Sequence, residues 1–156
     1  MTVEVGDRAP AFTMKTDGGG SVKLSDLKGK NVVLYFYPKD DTSGCTAEAC
    51  AFRDSLSDLR KLGAVVIGVS RDSVEKHDKF KTKYDLNFQL GSDEDGKVST
   101  AYGTWIKKSM YGRSYMGMER ATFLIDGKGV IRAAWRKVKV PGHVDAVRAE
   151  LKKLKE

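Results

Sequence analysis

Two unbroken apolar runs dominate the pattern, Asn31-Val32-Val33-Leu34-Tyr35-Phe36-Tyr37 and Ala64-Val65-Val66-Ile67-Gly68-Val69-Ser70. Both are short and rich in β-branched and aromatic residues. They lack polar alternation, which predicts central strands buried on both faces. Pro38 ends the first, because proline has no N–H to give a ladder. Between the runs, Phe52, Leu56, Leu59 and Leu62 recur at helical spacing among Arg53, Asp54, Asp58, Arg60 and Lys61, and Gly63 supplies a stop. Strand, helix and strand in succession make a βαβ unit, whose crossover is expected to be right-handed.

The flanking pattern completes the sheet. Ala11 to Lys15 and Val22 to Leu24 border a Gly-rich turn, which predicts an N-terminal β-hairpin. Ser25 to Gly29 reads as a capped helical turn. Ser73 caps a helix from Val74 to Tyr84, with Val74, His77, Phe80 and Tyr84 on one side. Leu86 to Leu90 reads as a short strand, Ser92 to Gly96 as a turn, and a short helix follows toward Gly103. Lys107 to Gly117 is rich in Gly, Tyr and Met without a period, and reads as a loop. Arg120 to Ile125 and Val130 to Arg136 flank Asp126-Gly127-Lys128-Gly129, the clearest hairpin in the chain. Pro141-Gly142-His143 introduces a last helix with Val144, Val147 and Leu151 inward. No repeat or linker interrupts the pattern, so residues 1–156 are expected to form one domain. The order predicts an α/β class, thioredoxin-like fold, with a central mixed sheet flanked by helices.

Composition narrows the function classes. No apolar run approaches the roughly 18 residues that would signal a membrane helix, and no membrane partner is expected. The first residues are acidic and match neither a secretory signal nor a transit peptide, which points to a cytoplasmic protein. The formal charge is +7, and Lys128 to Glu156 carries nine Lys/Arg against three Asp/Glu. Those charges alternate with Val, Ala, Trp and Leu, as on solvated faces, so nucleic acid is not the expected partner. The three glycines at 18–20 precede no Lys-Ser or Lys-Thr, so they read as a turn and not a phosphate loop. Asp93, Glu94 and Asp95 lack the downstream Glu of a calcium loop. Two cysteines five positions apart, as Cys-x4-Cys on one helix, with His77 and His143, suit a closed zinc site poorly.

Candidate chemistry gathers at Pro38 to Cys50, which holds both cysteines. A cysteine reacts as its thiolate, and a helix N-terminus offers free amides and the positive end of the helix dipole. Cys45 is placed there by the Pro38 turn and Gly44. Thr42 can turn its hydroxyl toward the same point, and Pro38 can shield the sulfur. Arg120 opens a core strand, an odd place for a charge without a partner, and its guanidinium would complete the electrostatics. Plainer roles stand beside these. The cysteines can be buried and inert, Thr42 or Ser43 a simple helix cap, Arg120 a strand-end surface charge, and Glu48 a complement to the helix dipole. His77 and His143 read as surface or packing residues. A thiol–disulfide oxidoreductase and a basic nucleic-acid module remain as rival readings. In an intact helix, residues five apart have Cα atoms about 8.6 Å apart. A disulfide needs less than about 7 Å, so Cys45 and Cys50 can join only if the first turns unwind.

Pro38-x-x-x-Thr42-x-x-Cys45 resembles the peroxiredoxin active-site motif, and Tyr37 to Cys50 as a whole resembles the bacterioferritin comigratory protein/peroxiredoxin Q subfamily. Gly6-Asp7-x-Ala9-Pro10-x-Phe12, Gly68-Val69-Ser70-x-Asp72-Ser73, Phe80, Gly117 to Asp126 and Gly142-His143 extend the likeness over nearly the whole chain. One departure is Ser43, where many relatives have proline. The resemblance implies a peroxidatic Cys45 and a resolving Cys50 that join in a redox disulfide. It implies peroxide binding by Thr42, Gly44, Cys45 and Arg120, shielding by Pro38, and orientation of Arg120 by Glu48. It further implies hydrogen peroxide or an organic hydroperoxide as substrate, thioredoxin or a similar dithiol as reductant, no cofactor or metal, and a monomer.

Overall fold

The computed structural model describes residues 3–155. Its strands are β1 (Thr13–Thr16), β2 (Ser21–Lys23), β3 (Asn31–Phe36), β4 (Ala64–Ser70), β5 (Gln89–Ser92), β6 (Trp105–Met110), β7 (Arg113–Met118), β8 (Ala121–Ile125) and β9 (Ile131–Trp135). Its helices are α1 (Ser43–Lys61), α2 (Val74–Tyr84), α3 (Lys97–Ala101) and α4 (His143–Lys155). Seven strands form one mixed sheet in the order β2-β1-β5-β4-β3-β8-β9. β3, β4 and β5 run parallel, while β1, β8 and β9 pair antiparallel to their neighbours. This is the thioredoxin-like arrangement, with the N-terminal hairpin β1–β2 at one edge.

The two apolar runs lie at the centre because both their faces are covered. Val33, Tyr35 and Tyr37 point to one core with Phe52, Leu56 and Leu59 of α1, Phe80 of α2, and Val144, Val147 and Leu151 of α4. Val32, Leu34 and Phe36 point to the other, with Phe12, Val98, Tyr102 and Phe123. Gly68 on β4 is opposite Tyr35 on β3, and a Cβ there would meet the Tyr35 ring at 2.8 Å. The phenol therefore occupies the space a side chain at 68 would need. Gly63, with φ of 77°, turns the chain from α1 into β4.

Three local readings change. Residues 107–117 are not a loop: β6 and β7 form a separate antiparallel hairpin, closed at Tyr111 and Gly112, both with positive φ. Its strands are largely exposed, so they carry no apolar alternation to betray them. The strand expected at 86–90 begins later, at Gln89. Leu86 and Phe88 are buried by packing on the core and not by ladder pairing. The Ser25 turn is a 3₁₀ turn at Leu24–Leu27 without a side-chain cap. Among the described residues no helix is long and apolar enough to cross a membrane.

Candidate active site

β3 delivers the chain to Pro38, and the following loop enters α1 at Ser43. Cys45 is the third helical residue, with 1% of its surface exposed. The first α1 bond runs from the Thr46 amide to the Thr42 carbonyl at 2.8 Å. The amides of Ser43, Gly44 and Cys45 therefore precede the helical ladder. The register of β8 on β3 sets Ala121 opposite Phe36. Arg120, one residue earlier, thus emerges beside the start of the Cys45 loop despite lying 75 positions away. Its Nη2 donates to Cys45 Sγ at 3.4 Å, and its Nη1 donates to Glu48 Oε1 at 2.7 Å. Its own backbone carbonyl is held by the Val138 amide at 3.0 Å.

Glu48 follows Cys45 by three residues on the same helix and is wholly buried. Burial pushes its carboxyl up to about 7, although the Arg120 charge and hydrogen bond pull the other way. Glu48 Oε2 and Tyr35 Oη are buried without hydrogen-bond partners. Thr42 stands at the N-cap position, but its side chain does not cap the helix. Its Oγ1 donates instead to the Lys39 carbonyl at 2.9 Å, which leaves the oxygen's lone pairs open to an incoming O–H donor.

The structure brings Cys45, Arg120, Glu48 and Gly44 together. Thr42 lies on the exposed approach, and Pro38 is exposed at the head of the loop. Cys50 is half-buried further along α1, and both thiols are free. Gly44 has a specific reason to lack a side chain, because a Cβ there would lie 3.0 Å from Arg120 Nη2. Gly44→Ala should therefore shift the guanidinium and slow the reaction of Cys45 with hydrogen peroxide roughly tenfold, as small misplacements of reacting groups do. The melting temperature should hold or rise, since alanine favours a helix over glycine. Rapid-mixing kinetics and a thermal melt check both halves.

Neither histidine is on the surface. His143 Nε2 is 2.7 Å from Thr122 Oγ1. Burial, and then the Arg120 charge, lower its pKa to about 4, so it is neutral at neutral pH. His77 belongs to a buried polar cluster that reading the sequence did not find. Its Nδ1 is 2.6 Å from Asp40 Oδ2, and its Nε2 is 3.0 Å from the Gly91 carbonyl. The signals were present separately: a histidine on the apolar side of α2, and an acid two residues before Thr42. Their pairing across 37 positions was not.

The AhpC/TSA family profile matches residues 5–134. The chain belongs to the AhpC/TSA family. Its relatives include a Coxiella burnetii protein named putative peroxiredoxin bcp, 58% identical over 147 residues, covering 94% of this chain and 97% of that one. Peroxiredoxin Bcp of Bacillus subtilis is 53% identical over 156 residues, covering 100% and 99%. A solved structure of Xanthomonas campestris bacterioferritin comigratory protein, concerned with its alkyl peroxide reduction activity, superposes with a TM-score of 0.90. It is 43% identical and covers 93% of this chain and 92% of that one. The resemblance carried by the Cys45 motif therefore holds for this AhpC/TSA member along its length.

Proposed function

We propose that this AhpC/TSA protein is a thiol peroxidase that reduces hydrogen peroxide and organic hydroperoxides at Cys45. One observation carries the reading: a buried thiol at a helix start faces a guanidinium that a buried carboxylate holds in place. The alkyl peroxide reduction of the Xanthomonas campestris relative supports the substrate class. The Cys45 thiolate attacks one peroxide oxygen and the O–O bond breaks. The sulfur becomes a sulfenic acid, and the other oxygen leaves with a proton as water or alcohol. Arg120 Nη2 and the free amides of the first turn face the charge that moves from sulfur to oxygen. Thr42 Oγ1 accepts the O–H of the incoming peroxide, and Pro38 screens the sulfur from water.

Cys50 then attacks the sulfenic sulfur, a disulfide forms and water leaves. Both cysteines lie within continuous α1, so this step requires the helix start to open. A dithiol such as thioredoxin restores both thiols by exchange. On this reading the chain works as a single-domain cytoplasmic monomer without a cofactor. The test is to mix reduced protein with hydrogen peroxide in the presence of a sulfenic-acid trap and locate the adduct by mass spectrometry. An adduct on Cys45 supports the proposal; peroxide consumption with the label elsewhere, or none, sinks it. Cys50→Ser should form the sulfenic acid at an unchanged rate, fail to turn over with thioredoxin, and accumulate sulfinic acid in excess peroxide. Normal turnover would mean that another thiol resolves Cys45.

A further inference from the structure

The loop that carries Thr42 is fastened to α2, and its anchor at Asp40 is buried. Asp40 Oδ1 accepts from Tyr37 Oη at 2.5 Å, and Asp40 Oδ2 meets His77 Nδ1 at 2.6 Å. The Asp40 amide donates to Asp72 Oδ2 at 2.8 Å, and Ser70 Oγ donates to that same oxygen at 2.7 Å. Next in the chain, Asp41 takes φ of 61°, a conformation that non-glycine residues seldom adopt. Its carboxylate is held at the end of α2 by Lys83 Nζ at 2.8 Å and Tyr84 Oη at 2.7 Å. The loop is thus clamped along α2, immediately before the residues that must unwind.

His77 is the unusual member. Its side chain is wholly buried, and both ring nitrogens face acceptors, a carboxylate and a backbone carbonyl. A neutral imidazole has one N–H and can serve only one of them. We propose that His77 carries two protons in the working enzyme and is a positioning residue. As an imidazolium it pins Asp40, and through it the Thr42 loop, while the first turns of α1 open and close. The inference rests on the peroxidase reading and adds to it what stays fixed while the helix moves. Burial opposes the charge, but the bond to Asp40 and its negative field outweigh it, so His77 is raised above its ordinary 6.5.

The charged groups around the ring are accounted for. Asp40 faces it from the β3–α1 loop and Asp72 from the β4–α2 loop, with Lys76 of its own helix 4.0 Å from Asp72. β5 presents only the Gly91 carbonyl. Asp17, on a second 3₁₀ turn at Asp17–Gly19 that packs against α2, is engaged with Lys81 and the Leu90 amide. A raised histidine is fully protonated below its ordinary value, and the clamp is lost as pH rises through the raised one. Peroxide reaction should therefore fall on the alkaline side as His77 loses its second proton.

The decisive measurement is nitrogen-15 NMR of the reduced protein, which has two histidines. At neutral pH one should show both ring nitrogens protonated, and His143 should be neutral. His77→Gln should slow sulfenic-acid formation about tenfold, the loss of one charge-assisted bond at the loop. It should leave resolution of preformed sulfenic acid no slower. Asp40→Asn should move the alkaline limb toward neutral pH. If His77 carries a single proton at neutral pH, the proposal is wrong, and this readout needs no variant to fold. Failure of the wild-type chain to consume peroxide sinks the peroxidase reading. A working peroxidase whose alkaline limb ignores Asp40→Asn sinks the clamp alone.

Discussion

Cys45→Ser should lose peroxide consumption by roughly 10⁴-fold or more, the scale on which removing a covalent nucleophile acts. A serine hydroxyl is scarcely ionised at neutral pH, and Arg120 alone is no general base to activate it. The fold should survive, because the new hydroxyl replaces a sulfur that already accepts from Arg120 Nη2. A shift of about 1 kcal/mol in unfolding free energy is expected, as for a typical single substitution. Peroxide consumption and a urea melt give the two numbers. A serine variant that consumes peroxide at a tenth of the wild-type rate would overturn the assignment of the nucleophile.

Arg120→Met should slow sulfenic-acid formation by about 10²- to 10³-fold, as removal of a preorganised donor does. Here the stability consequence depends on pH. The Glu48 carboxyl is already pushed up to about 7 by burial, from an ordinary 4.5, with Arg120 pulling it down. The folded protein therefore holds this proton more tightly than the unfolded chain. Stability from this group falls as pH rises from 4.5 through the folded value. Removing Arg120 takes away the downward pull, so the fall extends to higher pH. The variant should lie near wild type in urea at pH about 5 and well below it at pH about 8. At the higher pH a stranded buried charge costs about 3–5 kcal/mol. Arg120→Met with Glu48→Gln should recover the stability but not the rate. Recovery of both would reduce Arg120 to a partner for Glu48.

The readable parts of this molecule are those where one local signal suffices. β3 and β4 are unbroken apolar runs, and Pro38 and Gly63 mark where a strand and a helix must stop. The β6–β7 hairpin has no such signal, because exposed strands are free of the alternation that burial imposes. Leu86 and Phe88 misled for the opposite reason, since they are buried without being paired. At the site, Cys45 was legible from its turn-and-helix setting, and Arg120 from its incongruous place at the head of a core strand. Thr42 differs from the simple-cap reading, since its hydroxyl turns back to Lys39. The His77–Asp40–Asp72 cluster comes from three separate elements, and only the parallel pairing of β3, β4 and β5 brings them together.

The two tryptophans fall on opposite sides of the sheet. Trp135 packs on the core that holds α1, with its ring 5.6 Å from His143, which lies 6.2 Å from Phe52 of α1. Trp105 belongs to the other core, with the Arg71 guanidinium 4.3 Å above it. The protein thus contains an internal pair of optical probes. Emission from Trp135 should respond when the helix that carries both thiols opens, while Trp105, across the sheet, should serve as its built-in reference.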